Sequence, residues 1–302
     1  MTANVVRPSG PVRNFMEKIV TYGRMIKFSH TIFALPFVLS AVVLAFRDHH
    51  PGVWEIFWII VAAVSARSAA MGFNRIADLG FDRKNPRTQA REIPSGKLSL
   101  ASAVGFVALS SAVFVASAAM LSPLCLYLSV PVIAVLFGYS YTKRFTLWCH
   151  LYLGFAISLA PMGAWIAATG AFSWGILCLS MALMTYIAGF DIIYACQDTT
   201  FDQEQNLFSL PSRIGVERAL VLSSALHGMS FAFFLTIYFI FDMGRVYLAT
   251  VGVIGILFVV EHKLVNPKDL RHIDIAFFHV NSVVSVVLVA GILMDELVRR
   301  WV

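Results

Sequence analysis

The sequence predicts an all-α protein, a polytopic membrane bundle of nine transmembrane helices with a cytoplasmic N-terminus. Three observations predict it. Of the 302 residues 59% are hydrophobic and only 13% charged, a balance that removes the chain from the soluble class. Several apolar runs approach the ~20 residues that a helix needs to cross a ~30 Å hydrocarbon core. No stretch alternates polar and apolar residues as a barrel strand would.

In order, the apolar runs place spans at about 28–46, 53–73, 100–121, 124–142, 147–169, 172–195, 217–241, 246–262 and 273–294. Loops after odd-numbered spans are short and nearly uncharged, whereas those after even-numbered spans are basic. Together with the N-terminus, the even-numbered loops hold 18 of the 23 Lys and Arg residues, Arg7, Lys268 and Arg271 among them. The other face has Arg47, Arg245, Arg299 and Arg300, and Arg67 sits inside the second span. By the positive-inside tendency the basic face is cytoplasmic, so the net charge of +6 reflects topology and not nucleic-acid binding. The basic N-terminal stretch lacks a small-residue cleavage site after a short apolar run, so no signal peptide is read there. Cys125, Cys149, Cys178 and Cys196 lie apart in or beside apolar runs and read as packing residues, not as a disulfide or metal set.

The segment 73–99 is the exception to this apolar pattern, with nine charged residues between two spans. Asn74, Asp78 and Asp82 stand at i, i+4 and i+8, which on a continuing helix makes one stripe. Ile93, Pro94 and Ser95 follow. A second stretch echoes the first: Asp191, Tyr194, Asp198 and Asp202 share a helical face, and Pro211 and Ser212 follow. No linker divides the chain. It reads as one domain over 1–302, with two similar motif-bearing parts at about 28–142 and 147–262 and a final span at 273–294. Membrane proteins often place a site where such halves meet.

If the two stripes oppose one another, four or five carboxylates converge, and without a cation their repulsion would force some to protonate. Carboxylates in an apolar chain cost ~2.5–3.5 kcal/mol each on insertion scales, so topology alone does not explain them. An all-oxygen set suits Mg2+, which completes its shell with water and substrate phosphate. Arg87, Arg91, Lys143 and Arg144 add what a phosphate needs besides metal. Arg83, Lys84 and Lys97 are equally well explained as loop charges that set topology. Tyr139 lies one turn before Lys143, in a position that also suits an interfacial belt residue. Lys27, Ser29 and His30 open the first span, and His30 taken alone reads as a structural hydrogen-bonder. A charged site against an apolar bundle fits an amphiphile with a phosphate head and a hydrocarbon tail.

Asn74-x-x-x-Asp78-x-x-x-Asp82, Tyr139-x-x-x-Lys143 and Asp191-x-x-Tyr194-x-x-Gln197-Asp198-x-x-x-Asp202 resemble, in this order and over nearly the whole chain, the signatures of the UbiA superfamily of intramembrane aromatic prenyltransferases. The run from Ile26 to Pro36 is similar to the 4-hydroxybenzoate polyprenyltransferase branch, especially members placed in the futalosine route to menaquinone. The resemblance implies Mg2+-dependent transfer of a polyprenyl group from an allylic polyprenyl diphosphate to an aromatic acceptor in quinone biosynthesis, at the bacterial inner membrane, with the site facing the cytoplasm. It implies that Asn74, Asp78, Asp82, Asp198 and Asp202 hold Mg2+. Arg87, Arg91, Lys143, Tyr139, Lys27, Ser29 and His30 become candidate substrate-binding residues, and Asp191, Tyr194 and Lys143 candidate catalytic ones. Asp191 is the candidate proton acceptor. Glu92 departs from the Pro that many 4-hydroxybenzoate enzymes carry there, which leaves the acceptor open between 4-hydroxybenzoate, a menaquinone intermediate and another aromatic.

No obligate protein partner is indicated. A transporter of an anionic amphiphile could share the basic cavity but needs no paired carboxylates. Enzymes that transfer phospho-alcohol groups carry an Asp-Gly-x-x-Ala-Arg signature that is missing here. Nine spans put the two termini on opposite faces, so a reporter fused after Val302 is expected to behave as extracytoplasmic; a cytoplasmic signal would contradict the nine-span topology.

Overall fold

The computed structural model describes residues 11–267, 270, 273 and 275–301; the counted bases Arg7, Lys268 and Arg271 lie outside them. Its helices are α1 (Pro11–Met25), α2 (Leu35–Ala45), α3 (Val53–Ala77), α4 (Leu79–Asp82), α5 (Leu100–Leu121), α6 (Pro123–Thr142), α7 (Cys149–Thr169), α8 (Trp174–Ala195), α9 (Thr199–Glu204), α10 (Leu210–Ile214), α11 (Val216–Ile240), α12 (Arg245–Leu264) and α13 (Asn281–Trp301). No β-strand occurs among the described residues. Nine of the described helical segments are long and apolar enough to cross a membrane. The chain is a polytopic helical membrane protein.

Local chemistry sets where the helices start. Ser99, Ser122 and Ser173 cap α5, α6 and α8, each side-chain oxygen accepting from the backbone N–H three residues on. Ser122 is also the whole connection between α5 and α6, with Pro123 preset for the first helical position. Two predicted spans differ from their expected form. The first begins as a 3-10 turn, Phe28–Phe33, and becomes α-helical only at α2, because Pro36 has no N–H to carry an α-helix through this point. The last opens with a π-helical turn, Ile275–Val280, and runs past the expected end at 294.

The expected continuous carboxylate stripes are both interrupted. α3 ends at Ala77, Asp78 takes φ −92 and ψ 5, and α4 carries the chain only to Asp82. In the second half α8 tightens into a 3-10 turn at Cys196–Asp198 before α9. Each break turns the chain at the bundle end without leaving its backbone unbonded: Asp78 N–H still reaches Asn74 O at 2.9 Å and Asp82 N–H reaches Asp78 O at 2.8 Å.

The core centres on α8, the most enclosed span, whose Tyr186, Leu183, Ile187 and Ile193 are fully buried. α6, the least enclosed, turns Tyr127 and Val130 outward, as a lipid-facing span can. Close helix contact depends on glycine at several places, two of them at the faces of α8. A Cβ on Gly154 of α7 would lie 2.2 Å from the Met184 carbonyl oxygen of α8, and one on Gly189 of α8 would lie 2.3 Å from the His227 ring of α11. At the bundle end remote from the broken helices, Arg47 after α2 pairs with Glu296 of α13, and Asp295 accepts from the Gly244 and Tyr247 N–H groups at the start of α12. These bonds fasten the last span to the first and to the eighth. Gly154→Ala is expected to lower stability by about 1–3 kcal/mol through overpacking, read as a lowered unfolding midpoint in detergent. Gly163→Ala, where a Cβ meets nothing within 4 Å, is the control expected to leave it unchanged.

Candidate active site

A cavity of about 430 Å³ opens among α2, α3, α6, α7 and α8. One end is charged, formed where α3 breaks into α4 and α8 into α9. The rest is apolar, walled by residues such as Val38, Ala66, Phe114, Leu128 and Ala164. An amphiphile with an anionic head and a hydrocarbon body matches this division.

The charged end is organised as pairs. Arg91 Nη1 donates to both oxygens of Asp82 at 2.7 and 2.9 Å. Arg87 binds Asp198 with two of its nitrogens, Nε at 2.9 Å from Oδ1, and Asn85 Nδ2 adds a bond to that oxygen at 3.0 Å. Lys143 Nζ lies 2.7 Å from Asp202 Oδ1, while Ser209 Oγ donates to Oδ2 at 2.7 Å. Asp78 is the loosest, with Arg144 at 3.6 Å and Asn74 Nδ2 donating at 2.8 Å. The four carboxylates therefore do not converge on one point as the spacing implied. Each has a basic side chain beside it, which lessens the repulsion expected to demand metal, although Asp82 still acts on Asp78.

Arg87 and Arg91, expected on a diphosphate, are engaged with carboxylates instead. Burial pulls the Arg87 guanidinium down, but the bonds to Asp198 and Tyr194 outweigh it and hold it above its ordinary value. Lys143 is likewise held up by Asp202 against burial. Asp78 is pushed up by burial and then by Asp82, against the pull of Arg144. Lys27 is pushed down by burial, partly offset by Tyr194 and reinforced by Arg75 and Arg91.

Tyr194 links the two sides of the mouth. Its hydroxyl accepts from Lys27 Nζ at 3.2 Å and from Arg87 Nη1 at 2.5 Å. Its ring stacks on Phe277 at 4.2 Å between centroids. Phe277 belongs to the π-helical turn, whose carbonyls at Ala276 and Phe277 accept from Asn281 Nδ2, which also donates to the buried Glu261. A fully buried Asn–Glu pair thus secures the turn that supports Tyr194.

Of the remaining expected residues, Tyr139 and Asp191 line the cavity, and so does His30, whose ring packs against Phe33, Phe277 and Phe278. Ser29 does not: it is exposed and absent from the cavity wall. The cause is local, since Lys27 sits at φ 46 and the 3-10 turn that follows rotates Phe28 and Ser29 outward. Asn85, Ser209 and His150 are site residues that motif spacing did not single out. His150 Nδ1 lies 2.7 Å from Asp191 Oδ2. A histidine inside an otherwise apolar span was the available signal.

The residues present fit a hard divalent cation by the chemistry of the donor set. The carboxylates and Asn74 offer oxygen only, and because the Asn74 amide nitrogen serves Asp78, its carbonyl oxygen is the end left for a ligand. Among the described residues no three His, Cys, Asp or Glu side chains stand close enough together to hold a metal as they are placed. Binding one requires the ion pairs to open.

The UbiA prenyltransferase family model matches residues 34–283. A 4-hydroxybenzoate octaprenyltransferase of Vibrio campbellii is 29% identical over 92% of this chain and 98% of its own length. The mitochondrial 4-hydroxybenzoate polyprenyltransferase of Schizosaccharomyces pombe is 26% identical over 80% of this chain and 68% of its own. Among solved structures, the apo UbiA homolog from Aeropyrum pernix K1 superposes with a TM-score of 0.80 at 32% identity, covering 88% of this chain and 98% of that one. The Archaeoglobus fulgidus UbiA homolog bound to GPP and Mg2+ shares the fold, with a TM-score of 0.72 at 16% identity over 91% of this chain and 99% of that one.

Proposed function

Because this chain belongs to the UbiA prenyltransferase family, and is a membrane-embedded prenyltransferase for an aromatic acceptor, we propose that it moves a polyprenyl group from an allylic diphosphate to 4-hydroxybenzoate or a closely similar aromatic acid, with release of diphosphate. The observation that carries this reading is the cavity itself, with four acid–base pairs at one end and an apolar body leading away from them. The names of the curated relatives and the GPP and Mg2+ in the A. fulgidus protein support the acceptor, the donor class and the metal.

The pairs suggest how a ligand enters. Asp78, Asp82, Asp198 and Asp202, with Asn74, would hold Mg2+; when bound there it supplies positive charge beside the leaving diphosphate. Arg87, Arg91, Lys143 and Arg144, released from their carboxylates, then turn to the diphosphate oxygens. Guanidinium forks suit that role because they grip two oxygens at once. Tyr194 keeps Lys27 and Arg87 at the mouth of the cavity while these partners exchange. The allylic carbon, anchored by its head group, meets the acceptor ring inside a wall that excludes bulk water and so protects a developing allylic cation from hydrolysis. Asp191, facing the same cavity, takes the ring proton. By the positive-inside tendency the charged mouth faces the cytoplasm, and by analogy with the bacterial relatives the membrane is the inner one.

Purified protein given labelled polyprenyl diphosphate, Mg2+ and a panel of aromatic acids is expected to form prenylated acid and diphosphate, and to stop on chelation with EDTA. Asp78→Ala and Asp198→Ala are expected to reduce turnover by at least ~10²-fold while the protein remains folded in the membrane. Arg91→Ala is expected to raise KM for the diphosphate. Normal turnover in both Asp variants would overturn the proposed role of the carboxylates.

A further inference from the structure

Five carboxylates line the cavity, and four have a cationic partner. Asp191 is the fifth. Its neighbour is His150, 98% buried at the start of α7, with Nδ1 2.7 Å from Asp191 Oδ2. The other ring nitrogen decides where the donated proton sits. Leu210 N–H points at His150 Nε2 over 3.3 Å, and a backbone amide can only donate, so Nε2 must present a lone pair. With Nε2 accepting, the proton that the ring donates to Asp191 sits on Nδ1. Among the described residues Asp191 Oδ1 has no hydrogen bond, and the side chain keeps 18% of its surface open and lines the cavity. Among the five carboxylates it is the one that no Lys or Arg holds.

We propose that His150 is the positioning residue for the proton acceptor of the transfer reaction. It holds Asp191 by one oxygen and aims the other at the acceptor ring. This rests on the reading of the chain as an aromatic prenyltransferase. In the step itself, the bond between the prenylated ring carbon and its hydrogen breaks, the electron pair restores aromaticity, and the proton passes to Asp191 Oδ1. No oxidant or further reactant is required. The Leu210 amide is what fixes the tautomer, as outer partners commonly do for functional histidines. Its neighbour Ser209 bonds Asp202. Two adjacent residues at the start of α10, Ser209 through its hydroxyl and Leu210 through its amide, therefore reach both Asp202 and the histidine that holds Asp191.

The chemistry identifies its own control. A glutamine amide can donate from nitrogen to Asp191 and accept through oxygen from Leu210 N–H, so His150→Gln can rebuild both bonds, whereas His150→Ala rebuilds neither. With the full-length protein in detergent, Mg2+, polyprenyl diphosphate and 4-hydroxybenzoate, His150→Ala is expected to lower kcat about 10²-fold with KM for the diphosphate unchanged. A primary isotope effect should appear with ring-deuterated acceptor, because loss of the ring proton has become rate-limiting. His150→Gln is expected to recover most of kcat and to lose that isotope effect. Wild-type kcat in His150→Ala, or a His150→Gln protein that folds yet is as slow as His150→Ala, would overturn the proposal. If wild-type protein hydrolyses the diphosphate but prenylates no aromatic acid, the reading beneath the proposal fails instead.

Discussion

Four aspartates at one end of the bundle each rest against a basic side chain, and the remaining features of the site follow from that arrangement. A carboxylate in an apolar bundle is costly, as is a guanidinium. Pairing them one to one lets the protein keep eight charged groups at the mouth of an apolar cavity without a bound ligand. Asp202, fully buried between Lys143 and Ser209, shows the constraint most clearly. The same pairing makes the site responsive. A ligand that carries both signs, a divalent cation with a diphosphate, can satisfy acids and bases together, and neither half alone leaves the other half satisfied.

The backbone breaks are what let the pairs form. Had α3 continued straight through Asp78, the Asp82 carboxylate would have followed the helix axis out of the bundle. The turn at Asp78 and the short α4 instead fold it back beside Arg91, with Thr88 Oγ1 closing onto the Asp82 carbonyl at 3.2 Å. The 3-10 turn before Thr199 does the same for Asp202. Around these breaks the structure supplies rigid supports: the Asn281 and Glu261 pair behind Phe277, and the Leu210 amide behind His150. These supports use buried polar groups, whose partners are costly to lose because the freed group stays away from water.

The membrane architecture was legible in the sequence because its signal is additive: nine apolar runs and a one-sided distribution of Lys and Arg. The two aspartate motifs were legible because carboxylates stand out in a chain with so few charges. What the spacing could not reveal was partnership. Arg87 and Asp198 are 111 residues apart, and nothing in either local pattern ties one to the other. The breaks were hidden because i, i+4 spacing survives a bend of a single residue. Asn85 and Ser209 looked like ordinary loop residues, and His150 had no second ligand at metal spacing to draw attention to it. Ser29 misled for the opposite reason: its neighbours Lys27 and His30 do reach the cavity, but the left-handed conformation of Lys27 turns Ser29 to the outside.

The most direct measurement is the thermal unfolding midpoint of the purified protein with Mg2+ alone, with inorganic diphosphate alone and with both. If acids and bases must leave one another together, each ion alone gives a small shift, and the two together give a shift well above the sum, the signature of positive coupling between their binding. A full shift from Mg2+ alone, with nothing added by diphosphate, would contradict the account.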